Sequence, residues 1–164
     1  MRVLRLGGDL ETDMSMNPDR AIAGEAVVNA PLSEVWKVWT TEEGVRSFFA
    51  PECSIDLRVD GSFELYFLPD GEPGLRGGEG VRFLAIQPEK MLSFTWNAPP
   101  HLPEARAQWT HVVVRFFDAG GGRTRVRLRH DGWGEGGQWD DAFRYFENAW
   151  LECVLPALVR RFEE

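Results

Sequence analysis

Cysteine is almost absent. Cys53 and Cys153 are the two in 164 residues, too few for a disulfide framework and without metal-ligand spacing. In a reducing compartment both are expected to remain thiols with packing roles. Long apolar runs are missing as well. No stretch approaches the roughly 20 apolar residues needed to cross a bilayer, and residues 1–19 contain no continuous apolar core of a secretion signal. The expectation is a cytoplasmic protein with no membrane span. Basic charge is in deficit, 18 Lys and Arg against 26 Asp and Glu for a net charge of -8, which repels a phosphate backbone and argues against a nucleic-acid partner. Fingerprints of chemistry are lacking too: there is no Walker loop, no dinucleotide motif and no Gly-x-Ser-x-Gly elbow. Gly77-Gly78-Glu79-Gly80 lacks the strand-to-helix context that phosphate binding needs. No catalytic residue, metal site or cofactor follows from the sequence.

Aromatic mass, by contrast, is plentiful. The chain is 43% hydrophobic and 27% charged, with seven tryptophans at 36, 39, 96, 109, 133, 139 and 150. That balance is a globular one, and the length suits one domain able to bury its own core. Indoles in this number either fill a core or line an apolar pocket.

Residues 1–20 show little periodicity and read as an extension with one short strand at Val3 to Leu6, leaving 21–164 as the domain. Ala21 to Asn29 is a first strand, stopped by Pro31. Pro31 to Thr41 is a short helix with proline in its first turn, and Glu42 to Phe49 a second. Six further strands are expected near 53–58, 62–68, 79–86, 90–97, 109–118 and 123–131, each bounded by Gly, Pro or Asp. The loop Pro69 to Gly78 is expected to be the most mobile connection. From Gln138 to Phe162, apolar residues recur at spacings of three and four, the mark of a long amphipathic helix. Pro156 lies inside it and removes the hydrogen bond to the carbonyl of Glu152, which predicts a bend. The sum is an α+β fold: a curved antiparallel sheet of seven strands wrapped around a long C-terminal helix, with two short helices after strand one.

The strings Ala30-Pro31-Leu32-Ser33-Glu34-Val35-Trp36, Val59-Asp60-Gly61-Ser62-Phe63, Glu79-Gly80-Val81 and Pro88 through Trp96 occur in an order that resembles the SRPBCC superfamily, also called START-like or Bet v 1-like. Thr124-Arg125-Val126, His130-Asp131-Gly132-Trp133 and Tyr145 through Trp150 continue it. Phe94-Thr95-Trp96 and the tryptophan on the last helix place the resemblance near the activator-of-Hsp90-ATPase homologue branch. It implies a helix-grip fold with a cavity between sheet and helix. The superfamily hosts lipid carriers, hormone receptors, polyketide cyclases and co-chaperone domains, so the resemblance names no ligand.

Strand alternation selects the side chains that face inward. On 123–130 the arginines at 123, 125, 127 and 129 alternate with Thr124, Val126, Leu128 and His130, so His130 goes in with the apolar set. It is either a satisfied core histidine or a polar anchor or general base of the cavity. Asp131, on the opposite face, is expected to cap the turn. Phe94 and Trp96 share the inner face of their strand, as do Val112, Val114 and Phe116 of theirs. Trp139, Phe143, Phe146 and Trp150 supply the helix. With Trp39, Phe49, Phe63, Phe67 and Leu128, these are the expected ligand-binding residues. The leading reading is a module that holds an apolar or aromatic small molecule. A cyclase- or hydrolase-like enzyme using His130 as acid and base, and a co-chaperone-like domain with a protein partner, stay open, as does a monomer or homodimer state.

Overall fold

The computed structural model describes the backbone strand Val3–Arg5 and residues 20–163; residue 6, with which the expected first short strand ended, lies outside them. Eight strands are present among the described residues, β1 (Val3–Arg5), β2 (Ile22–Val28), β3 (Glu52–Ile55), β4 (Phe63–Tyr66), β5 (Phe83–Gln87), β6 (Met91–Trp96), β7 (Thr110–Gly120) and β8 (Arg123–Asp131). Helices α1 (Leu32–Thr40) and α2 (Glu42–Arg46) follow β2, a single turn α3 (Pro103–Arg106) separates β6 from β7, and α4 (Trp139–Asn148) follows β8. The C-terminal helix continues through a π-helical stretch, Ala149–Val154, into α5 (Leu155–Arg161). No helix among the described residues is long and apolar enough to cross a membrane.

The architecture is the expected antiparallel α+β one, with a difference in how the sheet is divided. A six-stranded sheet runs in the order β1-β2-β8-β7-β6-β5, and β3 and β4 form a separate hairpin. The strand expected at 79–86 begins only at Phe83, because Gly80 sits at φ 84 and cannot continue an extended chain. The two sheets stay linked by backbone bonds across the gap, Phe63 N to Val81 O at 2.9 Å and Phe83 N to Gly61 O at 3.0 Å. The loose hairpin between β7 and β8 turns through Gly120, Gly121 and Gly122, all at positive φ.

Alternation sorts the faces as the residue types require. On β8, Thr124, Val126, Leu128 and His130 are buried while Arg123, Arg127 and Arg129 are exposed. The outer arginines meet acids on the same face: Arg127 Nε lies 2.8 Å from Glu25 of the neighbouring β2, and Arg129 Nε 3.1 Å from Asp131 two residues along its own strand. Asp131 also faces His111 Nδ1 at 3.3 Å, so it is tied to the outer sheet face and does not cap the turn.

The helix departs from expectation at an informative place. Leu155 N bonds to Trp150 O, five residues back, so the chain widens by one residue immediately before Pro156. Proline lacks the N–H that would close the next α-turn. The wide turn absorbs that loss, and Pro156 then occupies the first turn of α5. A simple bend becomes a local change of helical register.

Candidate functional site

A cavity of about 380 Å³ opens at the end of the sheet where β6 runs out, between the helix and the β4–β5 connection. Four of its walls come from separate stretches. Trp96 and Asn97 end β6, and Ala98, Pro99, Pro100 and His101 follow them; Phe67, Leu68, Arg76, Gly77 and Gly78 belong to the β4–β5 connection; Phe49 comes from the end of the α2 segment; Tyr145, Phe146, Ala149, Trp150, Cys153 and Val154 come from the helix. The π-helical stretch supplies Ala149, Trp150, Cys153 and Val154 to this wall. The extra residue per turn therefore shapes the cavity, as π-bulges often do at functional sites. Its floor is an aromatic cluster, with Phe49 against Trp150 at 5.5 Å, Trp96 against Trp150 at 5.4 Å and Phe49 against Trp96 at 6.0 Å between ring centres.

The rim is held by a pair of charges. Glu79 accepts backbone N–H bonds from Gly74, from Arg76 at 2.8 Å and from Gly77 at 2.9 Å. Arg106 of α3 donates to the carbonyls of Gly77 and Ala98 at 2.7 Å each and of Gly74 at 2.7 Å, and reaches Glu79 at 3.4 Å. One guanidinium thus fastens the β4–β5 connection to the segment after β6, with the planar, multi-donor geometry that arginine alone provides. In the Pro69 to Gly78 connection Leu75 N bonds to Glu72 O, and Leu68 N at its start bonds to Arg76 O, at 2.9 Å each. Asn97, buried beside it, donates from Nδ2 to Glu79 O at 3.2 Å.

His130 stands behind the floor of this cavity and is not among its lining residues. It is fully buried, its ring 4.2 Å from that of Trp133. Trp150 Nε1 donates to His130 Nδ1 at 3.0 Å, so Nδ1 must be the unprotonated nitrogen. His130 Nε2 then carries the proton and donates to Thr110 Oγ1 at 2.7 Å, and the Thr110 hydroxyl donates to Trp96 O at 3.1 Å. Burial first, and the neighbouring His111 second, hold its pKa well below the ordinary histidine value. A neutral ring with both nitrogens engaged, and with no carboxylate of the described residues bonded to it, has no free position from which to take or give a proton. The acid–base role weighed for His130 is not supported by this arrangement. What the ring does is fix the indole of Trp150, a cavity-lining residue.

Of the residues expected around a ligand, Phe49, Phe67, Trp96, Phe146 and Trp150 are brought together at the cavity. Trp39, Phe63, Phe94, Val112, Val114, Phe116 and Leu128 are buried in the core under the sheet. Trp139 and Phe143 pack around Trp133, at 6.4 Å and 5.2 Å, on the far side of His130. The cavity lies at the end of the sheet and not along its middle, where Val112, Val114, Val126 and Leu128 are buried in the core. Sequence reasoning missed Arg76, Asn97, Tyr145, Cys153 and the Glu79–Arg106 pair. Cys153, expected to pack inside, is exposed at the rim.

Residues 29–163 match the family described as Activator of Hsp90 ATPase homolog 1-like protein. The chain belongs to that family. No curated protein matches the sequence. Among solved structures, the fold is shared with protein MLL2253 from Mesorhizobium loti, 19% identical, with a TM-score of 0.64 over 87% of this chain and 93% of that one. It is shared with PFC0360w, an HSP90 activator from Plasmodium falciparum, 17% identical with a TM-score of 0.64 over 83% and 91% of the two chains. CalU16 from Micromonospora echinospora is 21% identical, with a TM-score of 0.62 over 90% and 70%. At these identities the likeness concerns the fold and leaves the site to be argued from this chain's own residues.

Proposed function

We propose that this member of the activator of Hsp90 ATPase homolog 1-like family is a small-molecule binding module, holding an apolar or aromatic ligand in the cavity at the π-helical turn. The observation that carries the reading is the cavity itself, about 380 Å³ of space walled by Phe49, Phe67, Trp96, Phe146 and Trp150. Interiors ordinarily close such space, since each unfilled contact forfeits dispersion energy. Here the aromatic floor is braced from behind by the His130 bond to Trp150 and the rim is fastened by Arg106. Bracing an open apolar volume preorganises it for a guest and lowers the cost of binding.

The neutral probe N-phenylnaphthylamine tests this. It should bind saturably to the folded protein with a rise in its own emission and quenching of tryptophan fluorescence. Ala149, half-buried on the cavity wall, should tolerate Ala149→Leu in thermal melts while the added side chain fills the space and weakens the probe by about tenfold. Absence of saturable binding below the unfolding transition, or undiminished binding in Ala149→Leu, would remove the cavity as the site.

A further inference from the structure

The lining of the cavity is unusual in its charge. Acids outnumber bases 26 to 18 in the chain as a whole, yet among the described residues no aspartate or glutamate lines this space, and Arg76 does. Two carboxylates of the surrounding segments are already committed. Glu79 is engaged by three backbone amides and by Arg106. Glu64 accepts from Gly80 N at 2.8 Å and from the Tyr66 hydroxyl at 2.6 Å. Glu79 is shared with Arg106, whereas Arg76 at the rim forms no salt bridge with a described acid, Asp70 and Glu72 beside its Gly71 acceptor included. Its backbone N–H donates to Glu79, its carbonyl accepts from Leu68 N, and its Nε donates to Gly71 O at 2.9 Å; its terminal guanidinium nitrogens make no hydrogen bond to a described residue. A half-buried guanidinium with open donors beside an apolar volume fits a two-oxygen anion.

We propose that the cavity takes an aromatic-bodied ligand with one anionic group, a carboxylate, sulfonate or phosphate, whose anion is received by Arg76 while its apolar body lies against Phe49, Trp96 and Trp150. This rests on the binding-module reading and sharpens it. Arg76 contributes a charge-assisted contact and orientation; the aromatic floor contributes desolvation of the body. The Glu79–Arg106 pair acts as a positioning device, holding the Arg76 and Gly77 backbone so that the guanidinium stays at the rim.

Two probes that share one aromatic body separate the ideas. Anilinonaphthalene sulfonate carries the anion and N-phenylnaphthylamine lacks it. Arg76→Gln should weaken the sulfonate by about tenfold and leave the neutral probe within about twofold, as expected when one charge-assisted contact is lost. Arg76→Lys should recover much of the sulfonate affinity, which distinguishes charge from a structural defect. Arg127→Gln, on the outer sheet face, should change neither probe. Added salt should weaken the sulfonate and not the neutral probe. If Arg76→Gln weakens both probes equally, or neither, the anion assignment is overturned while binding of the neutral probe still supports the cavity as a site. If Arg127→Gln is the variant that abolishes sulfonate binding, the anion sits on the sheet and the assignment is again overturned. Failure of the neutral probe to bind overturns both readings.

Discussion

Replacing His130 with glutamine converts the wiring behind the cavity into a measurable pH dependence. The folded ring is fully buried and accepts a hydrogen bond from Trp150 on Nδ1, and burial holds its pKa well below the usual value. A proton on Nδ1 would set two N–H groups against each other in a fully buried site. In the unfolded chain the same ring takes up a proton at an ordinary pKa of about 6.5. Below that pH the unfolded state therefore binds a proton that the folded state excludes, and stability falls as the solution is acidified. Above it both states are neutral and the group contributes no slope. While the folded ring stays neutral, the loss is about 1.4 kcal/mol for each pH unit below the unfolded value. Urea melts of the wild type and of His130→Gln at pH 7.5, 6.5 and 5.5 isolate this contribution, because every other titrating group is common to both. The variant should be less stable at pH 7.5 by about 1–3 kcal/mol, having lost a ring with two satisfied nitrogens. That deficit should shrink by about 1.4 kcal/mol on going to pH 5.5. Parallel stability curves would refute the reasoning: the folded ring would then take a proton as readily as the unfolded one. His130 would have to be reached by solvent, and its role as a cavity acid or base would reopen.

Two further outcomes follow from the same geometry. Arg106→Met keeps the apolar stem but loses the bonds to Gly74, Gly77 and Ala98, so amide exchange at Arg76 and Gly77 should accelerate by about tenfold or more, with weaker binding of N-phenylnaphthylamine; unchanged exchange there would show that the loop is held by other means. Trp150→Ala removes a side chain that is 1% exposed and strips His130 Nδ1 of its donor, so unfolding free energy should fall by about 3–5 kcal/mol, and a loss under about 1 kcal/mol would mean that the helix is not seated on the sheet through this residue.

How much of this was legible beforehand depends on the distance over which each feature is encoded. Strand alternation and helical spacing are local patterns, repeating every two or every three to four residues. From them alone, Thr124, Val126, Leu128 and His130 separate from the arginines of β8, and Trp139, Phe143, Phe146 and Trp150 align on one helix face, as the burial of those residues shows. Their failure is equally specific. The same pattern that turns His130 inward cannot say whether it meets a void or a second side chain, and it assigned Phe94, Val112, Val114 and Leu128 to a ligand when they meet one another.

Only the tertiary structure decided where space remains unfilled and what holds its edges. The cavity is the remainder after packing segments that lie as far apart as Phe49 and Val154, and a remainder is a property of all the volumes together, with no periodicity of its own. Glu79 and Arg106 are separated by 27 positions, in a glycine-rich loop and a one-turn helix that carry no repeating pattern, so their pairing left no signal in the chain. The widening at Ala149–Val154 was half visible: Pro156 announced a missing hydrogen bond by its chemistry, but whether the helix answers by bending or by taking an extra residue into its turn depends on what Trp150 packs against. The amino-acid order by itself determined which faces are apolar and in what sequence the elements come. The folded chain determined which apolar residues are left facing an opening, because that choice is made by contacts between residues far apart in the sequence.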